Sequence, residues 1–314
     1  MAFSLDEIFK SAQKEARHRF WLFSDLQQSD PERAERYFKA AVSDFKELDS
    51  GAEAICSLGD AAEGRDLEKL HTMIHMQIRE LDALQLPVYH CLGNHEFDYY
   101  REMAAQGKTP RVPFYEAVKE KKNWHVAPSF SDFWFSEEYP EFTMLFLSGH
   151  AAPDGSWRAE HQFLPETPDY PYTRQVWSKL KERFANTGKI VFTFSHCAFP
   201  GGNRPSDILA QMMPLPDNFR AHFYGHAHIG DGYWAGENLY RQIAGTENSP
   251  VCQFNISSLD HWRGTTVRSA FFDYYGGGAY GVFFRDHLNC RWEQCFFSEH
   301  DAKSAGMAEK IDEN

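Results

Sequence analysis

Three short apolar runs, at residues 18–24, 54–58 and 87–92, alternate with two stretches of helical spacing, and each run gives way at once to polar residues or glycine. Runs this short suit strands buried on both faces. Asp30-Pro31 opens the first helical stretch, which reaches about residue 48. Asp30 suits an N-cap, and Pro31 suits the first helical position, where no N–H is needed. In the second stretch Leu67, Leu70, Ile74, Ile78, Leu81 and Leu84 recur on one face. The order β-α-β-α-β predicts parallel strands joined by right-handed crossovers. A sheet of that kind gathers ligands at the carboxyl ends of its strands.

Further along, residues 132–150 predict two strands with a turn near Tyr139-Pro140. A helix over 173–185 leads into a strand at 189–194, and another strand at 221–224 precedes Gly225. From residue 239 the β-like runs follow one another without helices between them, at 239–244, 252–259, 266–275, 280–286 and 290–297. That change predicts a second sheet closing the fold. No repeat, low-complexity segment or linker interrupts the chain, so it reads as one domain over 1–314 with a folded core of about 18–300 and a polar end from about 301. The 27 Phe supply a thick core.

The net charge of −13 disfavours an extended nucleic-acid surface, which needs clustered Lys and Arg. It leaves phosphate chemistry open, because metal ions can supply the local positive charge. No run approaches the ~18 apolar residues of a membrane-spanning helix. Residues 1–20 are amphipathic and lack the apolar run of a secretory signal. Cys56, Cys91 and Cys197 sit in apolar, strand-like runs, which predicts buried thiols in a reducing cytoplasm.

Five motifs follow strand-like runs: Asp25-Leu26-Gln27, Gly59-Asp60, Gly93-Asn94-His95-Glu96, Ser195-His196 and Gly225-His226-Ala227-His228. Each alone is an ordinary turn or strand end. Together and in this order they assemble carboxylate, imidazole and amide oxygen, a donor set that suits Mn, Fe, Zn or Mg better than a thiolate site would. The glycines let the backbone turn sharply into the next ligand. His71, His75, His90, His125, His150 and His261 lack such a context and read as structural.

The five motifs resemble the calcineurin-like metallophosphoesterase superfamily, whose pattern is D-x-H, G-D, G-N-H-[DE], a lone His and G-H-x-H. The likeness runs from Asp25 to His228. It implies an α/β protein of four layers, a two-sheet β-sandwich flanked by helices, with a dinuclear metal centre. It also implies a hydrolase cleaving a phosphoester or diphosphate bond, with a metal-bridging hydroxide as nucleophile. By that resemblance site A is Asp25, Gln27, Asp60 and His228, site B is Asp60, Asn94, His196 and His226, and Asp60 bridges the two divalent ions. His95, beside a ligand but not one, is the candidate to contact the phosphoryl group and protonate the leaving group; the alternative is that it orients a neighbour.

Gln27 stands where the family usually has His. A subset of the superfamily that includes manganese-dependent ADP-ribose and CDP-alcohol diphosphatases also carries D-x-Q, which implies Mn and favours a small phosphorylated substrate such as a nucleotide diphosphate. Arg204 follows His196 closely enough to reach a phosphate, or to be a solvated loop residue. Phe97, Tyr99 and Tyr100 suit either stacking on a base or core packing. The rival reading is a weak or inactive metal-binding scaffold of the same fold, which should have lost several ligands rather than one. A nuclease would need a basic, aromatic-rich stretch that the sequence lacks.

Overall fold

The computed structural model describes residues 4–26, 30–63, 66–109, 111–127, 134–147, 150–151, 157–158, 181–198, 215–228, 239–246, 249–260 and 266–298. The first part runs α1 (Leu5–Glu15), β1 (His18–Phe23), α2 (Pro31–Glu47), β2 (Ala54–Ser57), α3 (Leu67–Asp82), β3 (Val88–His90), α4 (Asn94–Ala105), α5 (Pro113–Val118) and β4 (Trp124–Val126). Local chemistry starts the helices as the sequence suggests. Asp30 accepts the N–H groups of Glu32 and Arg33 with Pro31 just inside α2, and Asp66 caps α3 through the N–H of Lys69. Strands β1, β2, β3 and β4 pair in parallel.

The rest comprises β5 (Trp134–Glu138), β6 (Phe142–Leu147), β7 (His150–Ala151), β8 (Trp157–Arg158), β9 (Ile190–Ser195), β10 (Phe219–Tyr224), β11 (Tyr240–Thr246), β12 (Ser249–Asn255), β13 (Arg268–Gly276), β14 (Ala279–Asp286) and β15 (Arg291–Phe297). Seven strands form one sheet in the order β15-β14-β13-β1-β2-β3-β4, and six form the other in the order β11-β12-β10-β9-β6-β5. The late strands therefore do not form a second sheet of their own. The second sheet is founded on β5, β6, β9 and β10, and the last five strands divide between the two sheets. The meander β13-β14-β15 joins antiparallel to β1, where Arg19 and Asp273 are register partners and form a buried ion pair. A half-buried alternation shows that a run is a strand, but not which edge it extends.

The sheets face each other across an aromatic core that includes Phe20, Phe146, Phe192, Phe194, Phe223 and Phe272. The outer face of the seven-stranded sheet is covered by helices, with Phe9, Phe38, Phe45, Leu70 and Ile74 packed on Trp21, Ile55 and Phe271. On the far side, Phe184 of the helical residues 181–187 packs against Phe219. The result is helix, sheet, sheet, helix, as the family resemblance implies. The predicted helix over 173–185 is described only from residue 181, and the chain beyond 298 lies outside the described residues. Helices α4 and α5 and strand β4 had no clear periodic signature. Among the described residues no helix is long and apolar enough to cross a membrane.

Candidate metal centre

Asp25 follows β1, Asp60 follows β2, Asn94 opens α4 after β3, His196 follows β9, and His226 and His228 follow β10. Because β1, β2 and β3 run parallel, as do β9 and β10, all these residues emerge at carboxyl ends. Hydrogen bonds join the two sheets' loops there. His196 Nδ1 lies 2.9 Å from Leu58 O, and the backbone N–H of His226 donates to Asp25 Oδ2 at 2.8 Å. Glycines permit the approach. A Cβ at Gly93 would collide with the Asp60 carboxylate, and one at Gly225 with Ser24 Oγ and Asp25.

Backbone strain collects at the same residues. Asp25, Asp60 and His226 adopt φ of 56°, 52° and 65°, the left-handed region that non-glycine residues avoid. Such strain persists where surrounding structure enforces it, typically at functional sites. What it achieves here is a division of labour within each carboxylate. Asp60 Oδ1 accepts the His95 backbone N–H at 2.8 Å, and Asp25 Oδ2 accepts that of His226. The other oxygens, Asp60 Oδ2 and Asp25 Oδ1, are buried and accept no hydrogen bond.

Around those two oxygens the remaining donors converge. His196 Nε2 is 3.0 Å from Asp60 Oδ2 and 2.9 Å from Asn94 Oδ1. His226 Nδ1 is 3.0 Å from Asn94 Oδ1 and 3.2 Å from His196 Nε2. His228 Nε2 is 3.1 Å from Asp25 Oδ1. The ligand atoms of Asp60, His196 and His226 all lie within 4.8 Å of one another. The Leu58 carbonyl holds an N–H on His196 Nδ1, so in the neutral ring the Nε2 lone pair points at oxygen lone pairs. Lone pairs of buried oxygen and nitrogen that face one another are a poor hydrogen-bonding arrangement and a good cation site. The donor set fits divalent metal ions.

Electrostatics agree. Burial would push His196 down, but the carboxylates of Asp60 and Asp25 outweigh it and raise it to about 10, so without a cation a second proton, on Nε2, takes the place facing Asp60 that a cation would take. His226, half-buried and facing His196, is pushed down to about 4 by loss of solvent and by its neighbour's charge. Burial opposes ionisation of Asp60 as well, yet His196 and His95 hold its carboxyl below the usual range. The cluster thus attracts positive charge.

His95 stands at the rim, 12% exposed, with Nε2 3.8 Å from Asp60 Oδ2. Its Nδ1 lies 3.2 Å from Glu63 Oε1. Glu63 carries no signal in the sequence, since an acid three residues beyond Asp60 looks like any solvated loop residue. Glu96 closes the Gly93-Asn94-His95-Glu96 motif. It is fully buried and its carboxylate accepts three backbone N–H groups, from Gly93 at 2.8 Å, Ala61 at 2.9 Å and Asp60 at 3.1 Å. It ties the Asp60 loop to the Asn94 loop.

Gln27, Arg204 and His261 lie outside the described residues, as do the side chains of Phe97, Tyr100 and His150. Tyr99 is buried, edge-on to His71 at 6.3 Å. His90 is enclosed against Phe114 and held by Ser57, with burial pushing it down to about 3. His125 packs on Tyr89.

Residues 18–230 match the family model described as calcineurin-like phosphoesterase. No curated protein matches the chain in sequence. Among solved structures the chain is similar to a dimetal phosphatase from Danio rerio, at 12% identity and a TM-score of 0.54, over 90% of this chain and 99% of that one. It is similar to a purple acid phosphatase from yellow lupin (Lupinus luteus) seeds, at 11% identity and a TM-score of 0.51, over 89% of this chain and 53% of that one. It is similar to an NAD nucleotidase from Haemophilus influenzae, at 12% identity and a TM-score of 0.50, over 95% of this chain and 56% of that one. At such identities the likeness is one of fold.

Proposed function

The chain belongs to the calcineurin-like phosphoesterase family, whose chemistry is phosphoester hydrolysis at a metal centre, and on that premise we propose that it is a dinuclear hydrolase of small phosphorylated molecules. Asp25, Gln27, Asp60 and His228 would hold one divalent cation, and Asp60, Asn94, His196 and His226 would hold the second, with Asp60 shared. The observation that carries this reading is the pair of buried carboxylates, each with one oxygen fixed by a backbone N–H and the other turned inward without a hydrogen bond. When bound, the cations acidify water and neutralise charge on the phosphoryl oxygens. Asp60 and Asp25 supply the negative charge that retains them, while the Leu58 carbonyl and Glu96 orient the ligands around them. His95 carries a proton to the leaving oxygen from Nε2, with Glu63 behind Nδ1 stabilising the protonated ring.

The sequence Asp25-Leu26-Gln27 supports a diphosphate ester of the nucleotide type, and an amide oxygen beside carboxylates supports Mn. The six free cysteines, four of them buried, support a reducing compartment, the cytoplasm. The test is a turnover screen of chelator-stripped protein reloaded with Mn, Mg, Fe or Zn, against phosphomonoesters, phosphodiesters and nucleotide diphosphates. Mn with a nucleotide diphosphate should be fastest. Two equivalents of bound metal with no turnover of any class would establish the scaffold reading instead.

A further inference from the structure

Residues 255–260, from the last residue of β12 onward, contain none of the five motifs, yet they are tied to both loops that carry Asp25 and His228. The N–H of Ile256 donates to Tyr224 O at 2.8 Å, and that of Leu259 to Ser24 O at 3.1 Å. Asn255 Nδ2 donates to Ala227 O at 2.9 Å, between the two histidines, while Asn255 Oδ1 accepts the N–H of Ser257 at 2.8 Å. Ser257 is held at φ 66°, and Asn255, Ser257 and Asp260 are all fully buried. At the end of the segment Asp260 Oδ2 lies 3.5 Å from His228 Nδ1. The opposite ring nitrogen, Nε2, faces Asp25 Oδ1 at 3.1 Å. One buried imidazole therefore stands between two carboxylates.

A neutral ring has a single N–H to share between them. With the proton on Nε2, His228 would donate to Asp25 and direct a lone pair at Asp260. With the proton on Nδ1, the ring faces Asp260 with its N–H and directs the Nε2 lone pair to Asp25 Oδ1, the arrangement a cation between them requires. The Asp260 carboxylate, 3.5 Å away, acts through its charge rather than through a hydrogen bond, and it favours the second tautomer once a cation faces Nε2. His196 is treated differently, since its Nδ1 faces a neutral carbonyl, Leu58 O. A carboxylate behind a ligating histidine raises the basicity of the other nitrogen.

We propose that Asp260 is a positioning residue that fixes His228 with its Nε2 lone pair toward Asp25 and so strengthens the cation site built on that pair, with Asn255 holding the loop in place. This rests on the ligand assignment above. The test is calorimetric titration of chelator-stripped, full-length protein with Mn(II). Wild type gives two binding events, and His228→Ala removes one. Asp260→Asn, nearly isosteric and uncharged, weakens that same event about 10–100-fold and leaves the other unchanged. Nitrogen NMR of the His228 ring should show the Nδ1–H tautomer in wild type and a mixture in Asp260→Asn. Asp260→Ser, with space for water, should weaken the same event and serves if the amide disturbs folding. Wild-type affinity in both Asp260 variants, or equal weakening of both events, overturns the role of Asp260 while His228→Ala upholds the ligand assignment. Two intact events in His228→Ala overturn the assignment itself.

Discussion

Replacing Glu63 by Gln should separate proton delivery from metal binding. The substitution keeps an oxygen near His95 Nδ1 and removes one charge from a contact of 3.2 Å. Two unit charges about 4 Å apart attract by about 4 kcal/mol at an effective dielectric of about 20. Glu63 is 31% exposed, however, and exposed pairs are worth at most about 1 kcal/mol once water screens them. A half-sheltered pair lies between, at about 2 kcal/mol, or ~30-fold in rate. That loss applies where His95 must gain a proton on the way to the transition state, so the assay belongs at about pH 8.5, above the ordinary imidazole range. An alkyl phosphate ester, whose leaving oxygen needs the proton, should lose about 30-fold in kcat/KM. An aryl ester, which leaves without help, should lose less than about threefold. Metal content should stay at the wild-type level. Equal losses for the two esters would refute proton delivery by the pair and leave His95 and Glu63 with a role in substrate placement.

Asp60→Ala should remove both metals, since this carboxylate is shared, and elemental analysis finding near-normal metal content would refute the bridging role. Asp44→Asn should destabilise the protein by about 3–5 kcal/mol at pH 7, because it leaves buried Arg285 and His287 without their carboxylate. Although burial opposes it, these partners hold the Asp44 carboxyl below its ordinary 3.8, so its contribution is whole above about pH 4 and falls away on acidification. Urea midpoints of parent and Asp44→Asn should therefore differ most at pH 7, and the difference should begin to shrink as the pH falls below about 4 without vanishing at pH 3; a constant difference would refute the linkage. Gln27→His should raise zinc affinity and shift preference away from Mn, and metal affinity and selectivity unchanged in both Gln27→His and Gln27→Ala would remove Gln27 from the ligand set.

The legible parts of this chain are those where one residue's chemistry is local. Asp30-Pro31 announces a helix start because its cap and its missing N–H act within one turn. The five motifs are visible because a glycine or polar residue must break an apolar strand where the chain turns at the sheet edge. What the sequence hides is pairing across distance. Asp273 meets Arg19 only because β13 lies antiparallel to β1, and nothing in either segment names the other. Glu63, Glu96 and Asp260 are ordinary acids by composition, and their importance comes from what the fold places beside them.

The same distinction explains why strain combined with an unbonded carboxylate oxygen marks the site more sharply than burial does. A buried carboxylate can satisfy both oxygens with backbone N–H groups, as Glu96 does with three of them. Asp25 and Asp60 instead sit at φ 56° and 52°, each with one oxygen bonded to a neighbouring backbone and the other bare. The bare oxygen costs about 1–3 kcal/mol or more where no partner compensates it, and the left-handed backbone adds about 1–3 kcal/mol. Two such positions cost a large fraction of a typical net stability of about 5–15 kcal/mol. A fold that repeats this arrangement on two adjacent strand ends, and packs imidazoles against both oxygens, is built to be completed by positive charge. Metal binding should accordingly stabilise the chain against unfolding as well as switch on its chemistry.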